Sequence, residues 1–427
     1  MVASAAAAET LREAVSTAMG RFPEIHAAQH RTAAIRAQVG QARAELYPSV
    51  NGSVGEGRER SRNVSTRTGN DVTLTRREAE LSVSQLVFDG GAASGQVKRF
   101  TARAESAELG VTGTAEDVAF RTSQVFVEVR RLREQLEIAR QNVGVHEKTL
   151  SDVNLLAEAG RGRRADVMQA QARRALATSS VDQLSGQLAQ AESGFRYLVG
   201  RHPGELAPAP PIAPSLPPTL ERAVAAATVS NPIVQSAEKE IEAAQHDRES
   251  ARAQLAMPRV TIDAGASRNR DIDGIAGPNH DQYAMLRLRY NFFRGFGDSE
   301  RVRETEARID EAIAELGRVR IEVERDVRQA WEGLAADRAR VATLEHYARA
   351  SADVVEAYRL QFQLGQRSLL DVLNAENESY SATANLIAAR AAVVVGELRV
   401  LASMGQLMNT LEVSVPDVRK AEAAYGR

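Results

Sequence analysis

A chain of 427 residues with 4% aromatics, 13 prolines and 26% charged side chains has the profile of long helices and coiled coils. Its 54 basic and 56 acidic residues nearly cancel, which gives no bulk attraction to nucleic acid. It has no cysteine, which excludes disulfides, thiolate metal sites and cysteine nucleophiles. No apolar run reaches the roughly 18 residues of a membrane helix.

In chain order, residues 1–8 lack a basic start and a long apolar stretch, and read as the remnant of a cleaved export signal behind an initiating Met. Residues 9–202 form a first structural repeat. It holds a helix from Glu9 to Leu46, a strand pair at about 47–90 and a long helix from Ala92 to Ala159, roughly 100 Å. A tip turn at 160–166 and a returning helix to Gly200 complete it. Residues 203–218 carry Pro203, Pro208, Pro210, Pro211, Pro214, Pro217 and Pro218 and cannot be helical. Residues 219–402 repeat the plan, with a helix to Met257, a strand pair at about 258–295 and a long helix from Asp298 to Leu364. A tip turn at 365–371 and a returning helix to Ala402 follow, and 403–427 form a C-terminal segment.

Three landmarks establish the duplication. Gly160 to Val167 is echoed by Gly365 to Val372, about 205 residues on. Gln85-Leu86-Val87-Phe88-Asp89-Gly90-Gly91 is echoed by Arg289-Tyr290-Asn291-Phe292-Phe293-Arg294-Gly295, and Tyr47-Pro48 by Met257-Pro258. The long helices carry heptad-like stripes: Val118, Val125, Val129, Leu132, Leu136, Ala139 and Val143 in one, and Val302, Ile309, Ile313, Leu316, Val323, Val327, Ala330 and Leu334 in the other. Helices alone fit a plain coiled coil.

The strands point elsewhere. Val260, Ile262, Ala264 and Ala266 alternate with polar or small residues, and Leu286, Leu288, Tyr290 and Phe292 alternate with Arg287, Arg289 and Asn291. Leu81, Val83 and Gln85 repeat the pattern more weakly, and the stretches Gly55 to Asn70 and Arg268 to Asp281 read as exposed loops. Arginine on one face and leucine, tyrosine and phenylalanine on the other describe a transmembrane β-barrel with a wet lumen. A soluble half-buried hairpin shows the same alternation, but two matched hairpins opening into very long helices disfavour it. Four strands cannot close in lipid without unpaired edges, so the barrel is shared between copies. Two copies give a plugged eight-stranded barrel, and three leave room for a lumen.

The chain resembles the TolC-like outer membrane efflux and secretion channels over nearly its whole length, from about Thr10 to Leu411. The resemblance is carried by the paired tip sequences, the Leu86-Val87-Phe88-Asp89-Gly90-Gly91 junction and Tyr47-Pro48. Most specific is Gln361-Phe362-Gln363-Leu364-Gly365-Gln366-Arg367-Ser368-Leu369-Leu370-Asp371-Val372 and its continuation to Glu378, which is most similar to members serving type I secretion of toxins and adhesins. The fold implied is mainly α with a membrane β-barrel. Each internally duplicated protomer contributes coiled-coil helices to an α-barrel and four strands to a trimeric twelve-stranded β-barrel. Residues 203–218 and 403–427 fall in an equatorial band. Implied partners are two further copies, a periplasmic adaptor, an ATP-driven inner-membrane transporter, an exported protein and outer membrane lipid, with the bulk of the protein in the periplasm of a Gram-negative cell.

The resemblance also assigns residues. Asp371 matches an acid that rings the periplasmic aperture, while the second acid of the family pattern is Asn374 here. Arg367 matches an arginine that ties neighbouring helices shut, with Asp166 as one acid it meets, and Phe362 stands where a tyrosine is common. Adaptor contacts fall on Gly160, Arg161, Arg163 and Arg164 at one turn and Gly365, Gln366, Ser368 and Leu369 at the other. On the residues alone, Asp166 and Asp371 are also good helix caps, and the arginines of the first turn are also a solvated turn. Lipid-facing positions are Leu286, Leu288, Tyr290 and Phe292.

No enzyme signature competes. His26 and His30 have metal-compatible i,i+4 spacing but no third ligand in the sequence nearby, and no phosphate loop or nucleophile elbow occurs. No cofactor, metal or nucleic acid is expected; Arg173-Arg174 is too short a basic run for the last. Three functions stand: a type I secretion exit duct, a multidrug efflux duct and, from another class, a soluble coiled-coil scaffold.

Overall fold

The structure, a computed structural model, describes residues 8–66, 71–160 and 162–415. The expectation for the first residues thus lies outside it except at Ala8, as do Arg161 and the C-terminal segment beyond Val415.

The helix expected from Glu9 to Leu46 is two: α1 (Leu11–Arg21) and α2 (Pro23–Ala44). Pro23 has no N–H to give and opens α2, while Phe22 before it is extended at φ −71, ψ 125. Thr10 and Glu13 form a reciprocal capping box at the start of α1. The same break recurs in the second repeat, where α5 (Leu220–Ser230) and α6 (Pro232–Ala256) replace one expected helix. Asn231 before Pro232 is extended at φ −65, ψ 127.

The long helices α3 (Ala92–Glu158) and α7 (Gly297–Gln363) are uninterrupted, 67 residues each, or roughly 100 Å. Asp89 begins α3 by accepting the N–H groups of Gly91 at 2.9 Å and Ala93 at 2.8 Å. The returning helices are α4 (Arg164–Val199) and α8 (Leu369–Ser403), and a short α9 (Leu407–Thr410) follows. Among the described residues no helix is long and apolar enough to cross a membrane.

The described residues divide into two compact units that cut across the repeats. One draws on the described residues of Met1–Gln29, Gly110–Val234 and Val319–Arg427, the other on those of His30–Leu109 and Gln235–Arg318. The first is centred on Phe126 of α3 and Phe195 of α4, both fully buried. Leu11, Val15 and Met19 of α1, Leu398 and Leu401 of α8 and Leu407 of α9 pack around them. The heptad stripe supplies Val118, Val129, Leu132, Leu136 and Ala139 to buried positions, and Val327 and Leu334 do the same from α7. Ile313, on the expected α7 stripe, is 52% exposed instead.

The second unit holds one antiparallel sheet in the order β1 (Ser49–Ser61), β2 (Val72–Phe88), β3 (Arg259–Ile272), β4 (Ile275–Arg289). Much of the two expected loops is therefore strand. β1 runs through Gly55 to Ser61, and β3 and β4 are joined by Asp273-Gly274 alone. Both turn residues have positive φ, 57° and 76°, as a tight two-residue hairpin turn requires.

Candidate functional site

Residues paired directly across neighbouring strands share a face, so the register sorts the whole sheet. On one face, Val50, Val83, Ala264 and Ala284 form a row. It is flanked by Gln85, Ile262 and Leu286 on one side and Gly52, Leu81, Ala266 and Gln282 on the other. Val54 with Ala79, and Val260 with Leu288, bound the band. A bulge between Leu86 and Phe88 turns Phe88 onto this face beside Val260. The opposite face carries Asn51, Ser82, Ser84, Glu80, Asp263, Ser267, Asp281, Arg287 and Arg289, with Leu86, Tyr283 and Met285 among them. There Asp263 accepts from Ser84 at 2.6 Å and pairs with Arg287 at 2.8 Å. Leu286 and Leu288 thus lie on the apolar face, exposed at 70% and 64%. Tyr290 and Phe292 lie past the end of β4, so strand alternation does not apply to them. They stack edge to face with centroids 4.9 Å apart.

The first unit contains both helix turns. Gly160 and Gly365 reverse the chain at φ 72° and 73°, where a side chain is strained. Val153 of α3, Val167 of α4, Phe362 of α7 and Leu369 and Leu373 of α8 form one apolar cluster beside the turns. Leu369 is only 5% exposed within it and is not a surface residue as expected; Leu370 and Leu364 are the exposed ones, at 43% and 72%. The reason is helical period: Leu369 and Leu373 share the inward face of α8, and Leu370 is turned away from it.

Neither acid is itself an N-cap. The cap of α8 is Ser368, whose hydroxyl accepts the Asp371 N–H at 3.3 Å and donates to the Asp371 carboxylate at 2.7 Å. The cap of α4 is Arg163, with no side-chain cap bond, and Asp166 sits in the first turn facing the helix dipole. Arg367 does not meet Asp166 among the described residues of one chain. It lies over the Tyr358 ring at 4.1 Å and donates to Gln361 Oε1 at 3.0 Å. Asn374 Oδ1 accepts from Arg173 at 2.6 Å, which ties α8 to α4.

A buried polar cluster near the turns escaped the sequence reading. Glu376, 5% exposed, accepts from Arg359 Nε at 3.0 Å and Nη2 at 2.9 Å, while its other oxygen faces His146 Nδ1 at 3.6 Å. Burial raises the Glu376 pKa against the pull of Arg359. Burial, then Arg173 and Arg359, lowers that of His146.

One family model, described as outer membrane efflux protein, matches the chain twice, at residues 14–201 and 223–406, one match per repeat. The chain belongs to the outer membrane efflux protein family. It is similar to the outer membrane efflux protein BepC of Brucella suis, 24% identical over 95% of this chain and 88% of that one. It is also similar to the alkaline protease secretion protein AprF of Pseudomonas aeruginosa, 24% identical over 87% of this chain and 79% of that one. Among solved structures, the outer-membrane channel OprN superposes with a TM-score of 0.79, 21% identical over 93% of this chain and 90% of that one. This family member is therefore an outer membrane channel with a large periplasmic portion, and not an enzyme. The soluble-scaffold reading falls with the family match. Its helices and four antiparallel strands have the fold of the family's channels, which are trimeric and work with adaptors and inner-membrane transporters.

Proposed function

We propose that the protein is the exit duct of a type I secretion system. Three copies join β1 of one to β4 of the next in a twelve-stranded barrel, which leaves no unpaired edge in lipid. The apolar sheet face, with Leu286 and Leu288, meets lipid, and Tyr290 and Phe292 sit at the membrane boundary. The two helix turns dock on an adaptor and an ATP-driven transporter through Gly160, Arg163, Arg164, Gly365, Gln366 and Ser368. Asp371 and Asn374 ring the aperture, and Arg367 closes it against Asp166 of a neighbouring copy. The secretion reading is carried by Gln361 to Glu378, the stretch most similar to secretion members. A relative named for secretion of a protease supports it. Multidrug efflux is the second reading, favoured by a relative named as an efflux protein. Deleting the gene separates them: loss of one or more exported proteins at unchanged drug sensitivity is expected, and drug hypersensitivity with intact protein export overturns secretion.

A further inference from the structure

Arg259 opens β3, Arg289 closes β4, and the register sets them directly opposite each other. Both fall on the polar face, in step with Thr261 and Arg287. Like charges directly opposite destabilise a sheet, so this pairing is costly unless the position serves something else. The next polar row shows the ordinary solution, with Arg287 neutralised by Asp263 at 2.8 Å. Arg259 and Arg289 are exposed, and neither side chain makes an ion pair or hydrogen bond among the described residues, although the charge of Arg289 is felt by Asp263.

The two line a cavity of about 520 Å³ at the end of the sheet where the helices of this unit begin. Its other charged walls are Arg294, Glu45, Asp89 and Asp298. Two of these acids are already engaged: Asp89 holds the first turn of α3, and Asp298 lies 3.5 Å from Arg294. The lining thus holds three guanidinium groups and three carboxylates, and Arg259 and Arg289 are the two guanidinium groups with no carboxylate in contact. Each copy adds one such Arg259–Arg289 pair, so a threefold barrel carries three of them in a ring at this end of the sheet.

We propose that Arg259 and Arg289 are a carboxylate-binding collar in the lumen, which takes acidic segments of the exported polypeptide as they enter the barrel. Guanidinium matches a carboxylate with two parallel N–H donors. Exposed pairs of this kind are individually weak, so a passing chain is attracted by several and held by none. The cargo class rests on the secretion reading; the anion preference of the collar does not.

The test uses the purified trimer in planar bilayers under a KCl gradient, with polyglutamate added from the helix-turn side. Replacing both residues, Arg259→Gln with Arg289→Gln, should shift the reversal potential toward cation selectivity and weaken polyglutamate block roughly tenfold. Arg259→Lys with Arg289→Lys should keep the wild-type selectivity, which separates loss of charge from loss of fold. An unchanged reversal potential with unchanged block in the Gln pair overturns the collar. A deletion strain that still exports its proteins sinks the secretion reading alone, since the bilayer result involves no cargo.

Discussion

Glu116, in α3, accepts the backbone N–H of Leu407 at 3.1 Å, across 291 residues of sequence, and that of Met408 at 3.2 Å. These are among the N–H groups that the first turn of α9 leaves without helical partners. A side chain 6% exposed thus fastens the C-terminal segment into the core around Phe126. Burial pushes the Glu116 carboxyl up to about 7, against two N–H bonds that favour its charge.

The first prediction follows from that shift. The folded pKa of about 7 lies above the ordinary 4.5, so the folded chain holds a proton that the unfolded chain has lost. The resulting stability is complete below pH 4.5 and is lost as pH rises through 7, on the order of 3 kcal/mol. Glu116→Gln is neutral at every pH and should lose this slope in thermal unfolding of the detergent-solubilised protein. Glu116→Ala should lose it too and cost about 1–3 kcal/mol by orphaning two buried N–H groups. Parallel pH profiles for wild type and the Gln variant would remove the linkage.

The second prediction concerns the sheet. The apolar band on β2 runs from Ala79 to Phe88, about ten residues, matching a tilted strand across roughly 25 Å of hydrocarbon. Val83 lies in its middle row. Val83→Arg should cost roughly 2–4 kcal/mol, Ser82→Arg on the other face under about 1, and Leu288→Arg at the strand end about 0–1. Trimer stability in lipid vesicles reads the order. Equal tolerance at Val83 and Ser82 would mean that the sheet does not lie in a bilayer.

The long helices were legible because heptad stripes run from Val118 to Val143 and from Val302 to Leu334, and no proline interrupts the 67 residues of either helix. The breaks at Phe22 and Asn231 were missed, although each residue precedes a proline, which disfavours helical backbone at the position before it. Asp273-Gly274 is a hairpin signal in its own right; arginines and asparagines around it made the strand ends look like loop. The site was less readable because its contacts join distant segments. Nothing near Asn374 in sequence announces Arg173 as its partner. His146 did carry a signal: it is the next heptad step after Val143 on the buried stripe of α3. Glu376 likewise falls on the α8 stripe seven residues after Leu369, so two polar groups on two core faces implied a buried pair.

That pair supports a third prediction. Glu376→Ala would leave the Arg359 guanidinium without its carboxylate and His146 without the acid it faces. Arg359 is about half exposed and can be rehydrated, so the cost should be about 1–3 kcal/mol rather than that of a fully buried charge. Glu376→Gln keeps one acceptor for Arg359 and should recover roughly half. Thermal unfolding of the trimer measures both; wild-type stability in the Ala variant would mean that the cluster contributes nothing.

The last prediction concerns the aperture. Asp371 is engaged by the Ser368 hydroxyl, so Asp371→Ala should loosen the start of α8 by about 1 kcal/mol as well as remove a carboxylate ring. A loss of cation block in that variant is therefore ambiguous on its own. Asn374→Asp resolves it, because position 374 is no part of the cap. Its carboxylate would pair with Arg173, now 2.6 Å from the Asn374 oxygen, and the remaining negative field would add to that of Asp371. Multivalent cations should then block single-channel current more strongly in Asn374→Asp than in wild type, and more strongly again with Arg173→Gln added, which frees the new carboxylate. Unchanged block in both would place residue 374 away from the conduction path.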